Sequence, residues 1–205
     1  LVISSLFISS RNILKSVDFV NQLKGKGQEI PSLVEKNKSL FKGYEVKGRS
    51  LGVIGLGAIG TMVANDASNI GMKVEGYDPF ISVDRAWGLE RNVKKAKNLN
   101  ALISNSDFIT LHMPLSENTK GFFNAEKLAL MKPGSVLLNF SRSEIVDDQA
   151  IIESLNSGHL GQYVTDFPTE ELLDCEGVIC IPHLGASTSE AETNCSKMVV
   201  DQVQE

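Results

Sequence analysis

Residues 50–60 read SLGVIGLGAIG. A short apolar run with β-branched residues (50–55) leads straight into Gly55, Gly57 and Gly60, and a helical pattern follows from Ala58 to Ile70. The G-x-G-x-x-G spacing between a strand and a helix brings backbone close to a pyrophosphate. Gly55 permits the tight turn, Gly57 leaves room for phosphate, and Gly60 lets the helix pack closely on the strand. The helix that starts at Ala58 and Ile59 then offers unpaired N–H groups to the anion. Met72 to Tyr77 reads as the next strand, and Asp78 closes it, 23 residues past Gly55. A carboxylate there accepts hydrogen bonds from the adenosine ribose and repels a 2′-phosphate, which predicts NAD rather than NADP as cofactor. The plainer reading of Asp78 is an ordinary turn residue before Pro79.

Outward from this motif the chain alternates. A polar helix near 98–104 precedes a strand at 107–112; a helix at 124–131 precedes a strand at 135–140. A helix at 147–156 then leads to strands at 161–166 and 177–182, and a last helix starts at about Ser187. Strands alternating with helices of this length define an α/β fold, here a Rossmann-type doubly wound parallel sheet with helices on both faces. Ligands of such sheets bind beyond the carboxyl ends of the strands.

The first 24 residues, LVISSLFISSRNILKSVDFVNQLK, read as one amphipathic helix. Ile3, Leu6, Phe7, Ile13, Leu14, Val17, Val20 and Leu23 form its apolar stripe. The apolar run before Arg11 is too short to cross a membrane and lacks the basic start of a signal peptide. Because the chain opens mid-helix at Leu1 without methionine, it reads as a nucleotide-binding domain cut from a longer protein. Residues 1–24 are expected to form an interdomain or dimerisation helix and 48–186 the dinucleotide-binding core. Residues 187–205 are expected to return toward a substrate domain.

Composition narrows the partners. Twenty Lys and Arg against 25 Asp and Glu give a net charge of −5, which disfavours a nucleic-acid or anionic-membrane surface as main partner. Three cysteines, Cys175, Cys180 and Cys195, form no disulfide framework and suit a reducing, cytoplasmic setting. With no C-x-x-C or His/Cys cluster, no metal site is expected.

The segments GVIGLGAIG, LHMPLSENTKGFFNAEKLALMKPGSVLLNFSR, VTDFPTEELL and IPHLGAST together resemble the NAD-dependent D-isomer-specific 2-hydroxyacid dehydrogenases, over essentially the whole chain. The members most resembled act on 3-phosphoglycerate. The resemblance implies hydride transfer between NAD and C2 of a D-2-hydroxyacid, from 3-phosphoglycerate to 3-phosphohydroxypyruvate in serine biosynthesis. Glyoxylate, hydroxypyruvate or D-lactate are the alternative substrates. An NAD-sensing, corepressor-like interaction protein on the same fold is the alternative of another class. A homodimer or higher homo-oligomer is also implied.

The resemblance carries an arginine, a histidine and a glutamate onto this chain. Arg142 is implied to grip the substrate carboxylate, a task for a forked guanidinium; its plain reading is a surface salt bridge to Glu144 or Asp147. His183 is implied to exchange the hydroxyl proton. The glutamate that would hold its tautomer falls on Glu171 by a gap-free count from Asp166, or on Glu170 if the Pro-Thr-Glu string is aligned. Asp166 itself is implied to meet the nicotinamide carboxamide. His112, Met113 and Pro114, Phe140 and Ser141, and Gly185 and Ala186 are implied to line NAD. His159 reads as an exposed helix-end residue. Ser143 departs from the glycine usual after the arginine, and would be strained if that position required a positive φ.

Overall fold

A computed structural model describes residues 1–191, 193 and 194. Helices α1 (Val2–Arg11), α2 (Ile13–Gln22) and α3 (Ile30–Asn37) open the chain. There follow β1 (Ser50–Ile54), α4 (Ala58–Asn69), β2 (Lys73–Tyr77), α5 (Val83–Trp87), β3 (Lys94–Lys95) and α6 (Leu99–Asn105). Then come β4 (Phe108–Leu111), α7 (Ala125–Leu130), β5 (Ser135–Asn139), α8 (Asp148–Asn156), β6 (Leu160–Thr165), α9 (Glu170–Leu173) and β7 (Val178–Cys180). Backbone is helical again from Ser189; the rest of the expected 187–205 helix, and Cys195, lie outside the described residues.

The seven strands form one sheet in the order β3-β2-β1-β4-β5-β6-β7, with every pair parallel. The order reverses direction between β1 and β4, which makes a crevice beyond their carboxyl ends. Alternation along each strand divides the core. Leu51, Val53, Val136 and Leu138 face α4 and α1, whereas Ile54, Ile109, Leu137 and Tyr163 face the layer of α6, α7 and α8. Both faces are covered because the central strands β1, β4 and β5 are nearly continuously apolar and buried. Truncating one fully buried member, such as Leu137, would cost about 2–5 kcal/mol.

Two features differ from the sequence expectation. The single helix over 1–24 is broken at Asn12, which adopts a left-handed φ of 51° between α1 and α2. Asparagine tolerates that conformation because its short polar side chain bonds locally, and here its amide donates to the Lys42 carbonyl at 3.4 Å. The apolar stripe is therefore split. Leu6 of α1 is buried in the core, while α2 has no buried residue and leaves Ile13, Leu14, Val17 and Val20 exposed. Ser143 is the second difference. It begins a short 3-10 turn (Ser143–Ile145), and Asn12 is the one non-glycine residue with positive φ among those described. The glycine is not needed, and Ser143 carries no such strain.

Candidate active site

Strand register assembles the site. Ile54 pairs with Tyr77 and Leu111, Leu111 with Asn139, Asn139 with Thr165, and Thr165 with Cys180. These residues lie at one level across the sheet, so the next residue on five strands is Gly55, Asp78, His112, Phe140 or Asp166. Five candidates separated in sequence thus emerge along a single edge.

At the β1 end, Gly55 has φ 93°, a turn that a side chain would strain. A Cβ on Gly60 would collide with the Gly55 carbonyl oxygen, so α4 sits directly against the turn. A Cβ on Gly57 would meet nothing within 4 Å, leaving an open cradle before the N-terminus of α4. Asp78 closes this unit. Its Oδ2 accepts from the Leu56 amide and its Oδ1 from the Phe80 amide, both at 2.8 Å. Each carboxylate oxygen keeps a second lone pair for a hydroxyl donor.

At the β5 end, a buried polar residue that the sequence reading passed over sets the turn. Asn139, fully buried, donates from Nδ2 to the Arg142 carbonyl at 2.9 Å and accepts from the Ser141 amide at 3.1 Å. Ser141 Oγ also donates to the Leu111 carbonyl at 2.5 Å. Phe140, Ser141 and Arg142 are fixed in place, and Arg142 Nη1 donates to the Ser141 carbonyl at 2.6 Å. Among the described residues Arg142 makes no salt bridge to Glu144 or Asp147. The signal available in sequence was a lone Asn in the apolar run SVLLNF.

Arg142, Asp166 and His183 meet in one cleft of about 390 Å³, together with Ile59, His112, Phe140, Gly185 and Ala186. Leu1, Val2 and Ile3 of the first helix and Met62, Val63 and Asp66 of α4 complete its walls. His183 is exposed, with Nδ1 3.3 Å from Asp166 Oδ2. The Phe167 ring stands 5.3 Å from the imidazole. Asp166 is buried, and its Oδ1 has no hydrogen-bond partner. Burial pushes the Asp166 carboxyl up, while His183 pulls it the other way. Met113 and Pro114 follow His112 on the β4 loop and do not line the cleft itself. Nor do Glu170 and Glu171, which are exposed in the first turn of α9 and form no ion pair or hydrogen bond with His183. Among the described residues the carboxylate beside His183 is that of Asp166.

The other histidines are accounted for. His112 Nε2 lies 3.0 Å from Thr110 Oγ1, and burial pushes its pKa down to about 4, so the ring stays neutral near pH 7. His159 is half-buried, with Nε2 3.0 Å from the Leu128 carbonyl, rather than exposed at a helix end. 

The residues present fit a dinucleotide. The Gly57 cradle faces a helix N-terminus, Asp78 offers acceptors for ribose hydroxyls, and the orphaned Oδ1 of Asp166 offers one for an amide N–H. A parallel sheet with these groups at its switch point defines a dinucleotide-binding domain.

Comparison with known proteins gives the family. Residues 4–185 match the family described as D-isomer specific 2-hydroxyacid dehydrogenase, NAD binding domain. The D-3-phosphoglycerate dehydrogenase of Methanocaldococcus jannaschii is 38% identical over 175 residues, covering 82% of this chain and 33% of that protein. The (S)-sulfolactate dehydrogenase of Chromohalobacter salexigens is 39% identical over 174 residues, covering 81% and 55%. Among solved structures, the NAD-dependent formate dehydrogenase of Staphylococcus aureus in complex with NAD superposes with a TM-score of 0.77 at 26% identity, covering 99% of this chain and 59% of that one. The chain belongs to the D-isomer-specific 2-hydroxyacid dehydrogenases, and what it folds into is their NAD-binding domain. It spans about a third of the length of the D-3-phosphoglycerate dehydrogenases it matches.

Proposed function

We propose that this chain supplies the cofactor side of the active site of an enzyme that interconverts 3-phosphoglycerate and 3-phosphohydroxypyruvate, a step toward serine. The observation that carries the reading is the convergence of Arg142, Asp166 and His183 on one cleft beside the dinucleotide cradle. Relatives named D-3-phosphoglycerate dehydrogenase support the choice of substrate, and the (S)-sulfolactate dehydrogenase is the competing precedent.

NAD, when bound, accepts the hydride from C2 of the hydroxyacid. Arg142 holds the substrate carboxylate through charge-assisted hydrogen bonds and draws electron density from the reacting carbonyl. His183 is the proton carrier. His112 is buried and neutral and His159 is tied to a backbone carbonyl, which leaves His183 as the histidine free to exchange protons in the cleft. Cofactor contacts fall to Gly55, Gly57, Ala58, Ile59 and Gly60 at the phosphates and to Asp78 at the ribose. His112 to Pro114, Phe140, Ser141, Gly185 and Ala186 line the remainder. A second copy of the chain covers the exposed face of α2, and the enzyme works in the cytoplasm.

The test is steady-state turnover of 3-phosphohydroxypyruvate with NADH by the full-length protein, beside sulfopyruvate, glyoxylate and pyruvate. Phosphohydroxypyruvate is expected to give the highest kcat/KM. Preference for sulfopyruvate would replace the substrate assignment. NADH binding without turnover of any 2-oxoacid would favour the corepressor-like alternative.

A further inference from the structure

We propose that Tyr163, a core residue outside the cleft, is a positioning residue for Arg142 and acts through Asn139. The inference rests on the reading of Arg142 as the group that grips the substrate carboxylate. Register brings the partners together. Leu137 pairs with Tyr163 and Asn139 with Thr165. Side chains two apart share a face of the sheet, so Tyr163 and Asn139 project into the same layer from neighbouring strands. Asn139 Nδ2 lies 3.4 Å from the Tyr163 hydroxyl oxygen, and both residues are fully buried. Tyr163 does not line the cleft that holds Arg142.

The carboxamide of Asn139 has one workable orientation. The Arg142 carbonyl can only accept and the Ser141 amide can only donate, so Nδ2 faces the carbonyl at 2.9 Å and Oδ1 the amide at 3.1 Å. One Nδ2 hydrogen goes to Arg142. The second goes to the Tyr163 oxygen, which stops the carboxamide from swinging away from the Arg142 carbonyl. Without that bond a buried N–H would be left unpaired. The two ends of the turn are held separately. Ser141 keeps its bonds to Asn139 Oδ1 and, through Oγ, to the Leu111 carbonyl whatever stands at position 163. The Arg142 end hangs on Nδ2, the bond that Tyr163 braces. Arg142 Nη1 in turn donates to the Ser141 carbonyl, so the guanidinium takes its direction from this turn.

Burial defines what the hydroxyl can do. A phenol in the apolar layer that also holds Leu137 and Ile151 carries a desolvation cost that phenylalanine would avoid, so the hydroxyl acts through the bond it accepts. Burial also pushes its pKa up to about 12, against the pull of Asn139 and Thr165, and it stays a neutral phenol near pH 7. Tyr163 braces the amide without exchanging a proton.

A double-mutant cycle in the full-length protein tests this, read as kcat/KM for 3-phosphohydroxypyruvate with NADH. Tyr163→Phe keeps the ring and removes the hydroxyl. It is expected to lower kcat/KM about three- to tenfold, the range for one neutral hydrogen bond. NADH affinity is expected to stay within about twofold and the pH–rate profile to stay where it is. In an Arg142→Ala background, followed at high enzyme concentration, the same substitution is expected to change kcat/KM by less than about twofold, because no guanidinium is left to position. A loss of equal size in both backgrounds would make Tyr163 a general support of the fold and overturn the assignment. Unchanged kcat/KM in Tyr163→Phe, or a shifted pH profile, would overturn it too. Asn139→Asp replaces the Nδ2 donor with an acceptor at the Arg142 carbonyl. It repeats the cycle with a larger expected loss and the same dependence on Arg142, and it decides the matter if Tyr163→Phe does not fold. If Arg142→Ala turns over like wild type, the proposed role of Arg142 fails and this inference with it. A disabled Arg142→Ala beside an unaffected Tyr163→Phe refutes this inference alone.

Discussion

The Leu56 amide donates to Asp78 Oδ2 at 2.8 Å, so the residue expected to hold the ribose also holds the phosphate-binding turn. Asp78 is thus part of the scaffold as well as the proposed ribose ligand. Thr61 Oγ1 secures the other side of Leu56 by donating to its carbonyl at 3.0 Å.

This double attachment sharpens the prediction for cofactor choice. Asp78→Ala should lower the preference for NAD over NADP by about 1.5–3 kcal/mol, the range for charge-assisted hydrogen bonds. It should also weaken NAD binding itself, because the turn loses its tie. Dissociation constants for both cofactors, measured by calorimetry, check this. Equal affinity for NADP and NAD in the wild type would remove Asp78 from the ribose site.

At the opposite end of the sheet, Asp107 makes a second prediction, for acid stability. Its Oδ2 accepts from the Ser50 amide and hydroxyl, each at 2.8 Å, and its Oδ1 from Lys132 Nζ at 3.0 Å. Burial pushes this carboxyl up, but the bonds from Ser50 and Lys132 outweigh it and hold the group below its usual value of 3.8. A depressed carboxyl contributes stability above its unfolded pKa and loses it as pH falls through the folded value. Asp107→Asn should destabilise the fold by about 1–2 kcal/mol at pH 7. Urea unfolding at neutral and strongly acidic pH should show that difference shrink in acid; a constant difference would contradict it.

The exposed face of α2 carries the third prediction. Ile13, Leu14, Val17 and Val20 are 38–50% exposed in a row along one helix. A stripe of that kind is proposed to be an interface, with a two-fold arrangement pairing it with itself. Sedimentation should show a dimer at micromolar concentration, and Leu14→Asp with Val17→Asp should shift it to monomer. A wild-type monomer up to millimolar concentration would refute the interface.

The strand–helix alternation was legible because apolar periodicity and glycine turns are local properties. The phosphate turn and Asp78 were legible for the same reason. The order of strands along the sheet then brought Arg142, Asp166 and His183 together from separate strand ends. Short elements escaped. The edge strand at Lys94 and Lys95 consists of two exposed lysines and has no apolar pattern to reveal it, and α5 and α9 span little more than one turn each. The break at Asn12 was hidden because the apolar spacing continues through it. The contact of His183 with Asp166 was hidden for a further reason. Sequence counting locates a glutamate along the chain, but the Thr169 cap and buried Leu172 determine where α9 leaves it in space.

The central claim, that His183 moves the proton in hydride transfer at this cleft, is tested most directly by one comparison in the full-length protein. NADH oxidation with 3-phosphohydroxypyruvate is measured for wild type and His183→Asn, alongside NADH binding to each. Turnover should fall by about 10²–10⁴-fold in the variant, the range for general acid–base catalysis, while NADH affinity stays within about twofold. Undiminished turnover in His183→Asn would contradict the account.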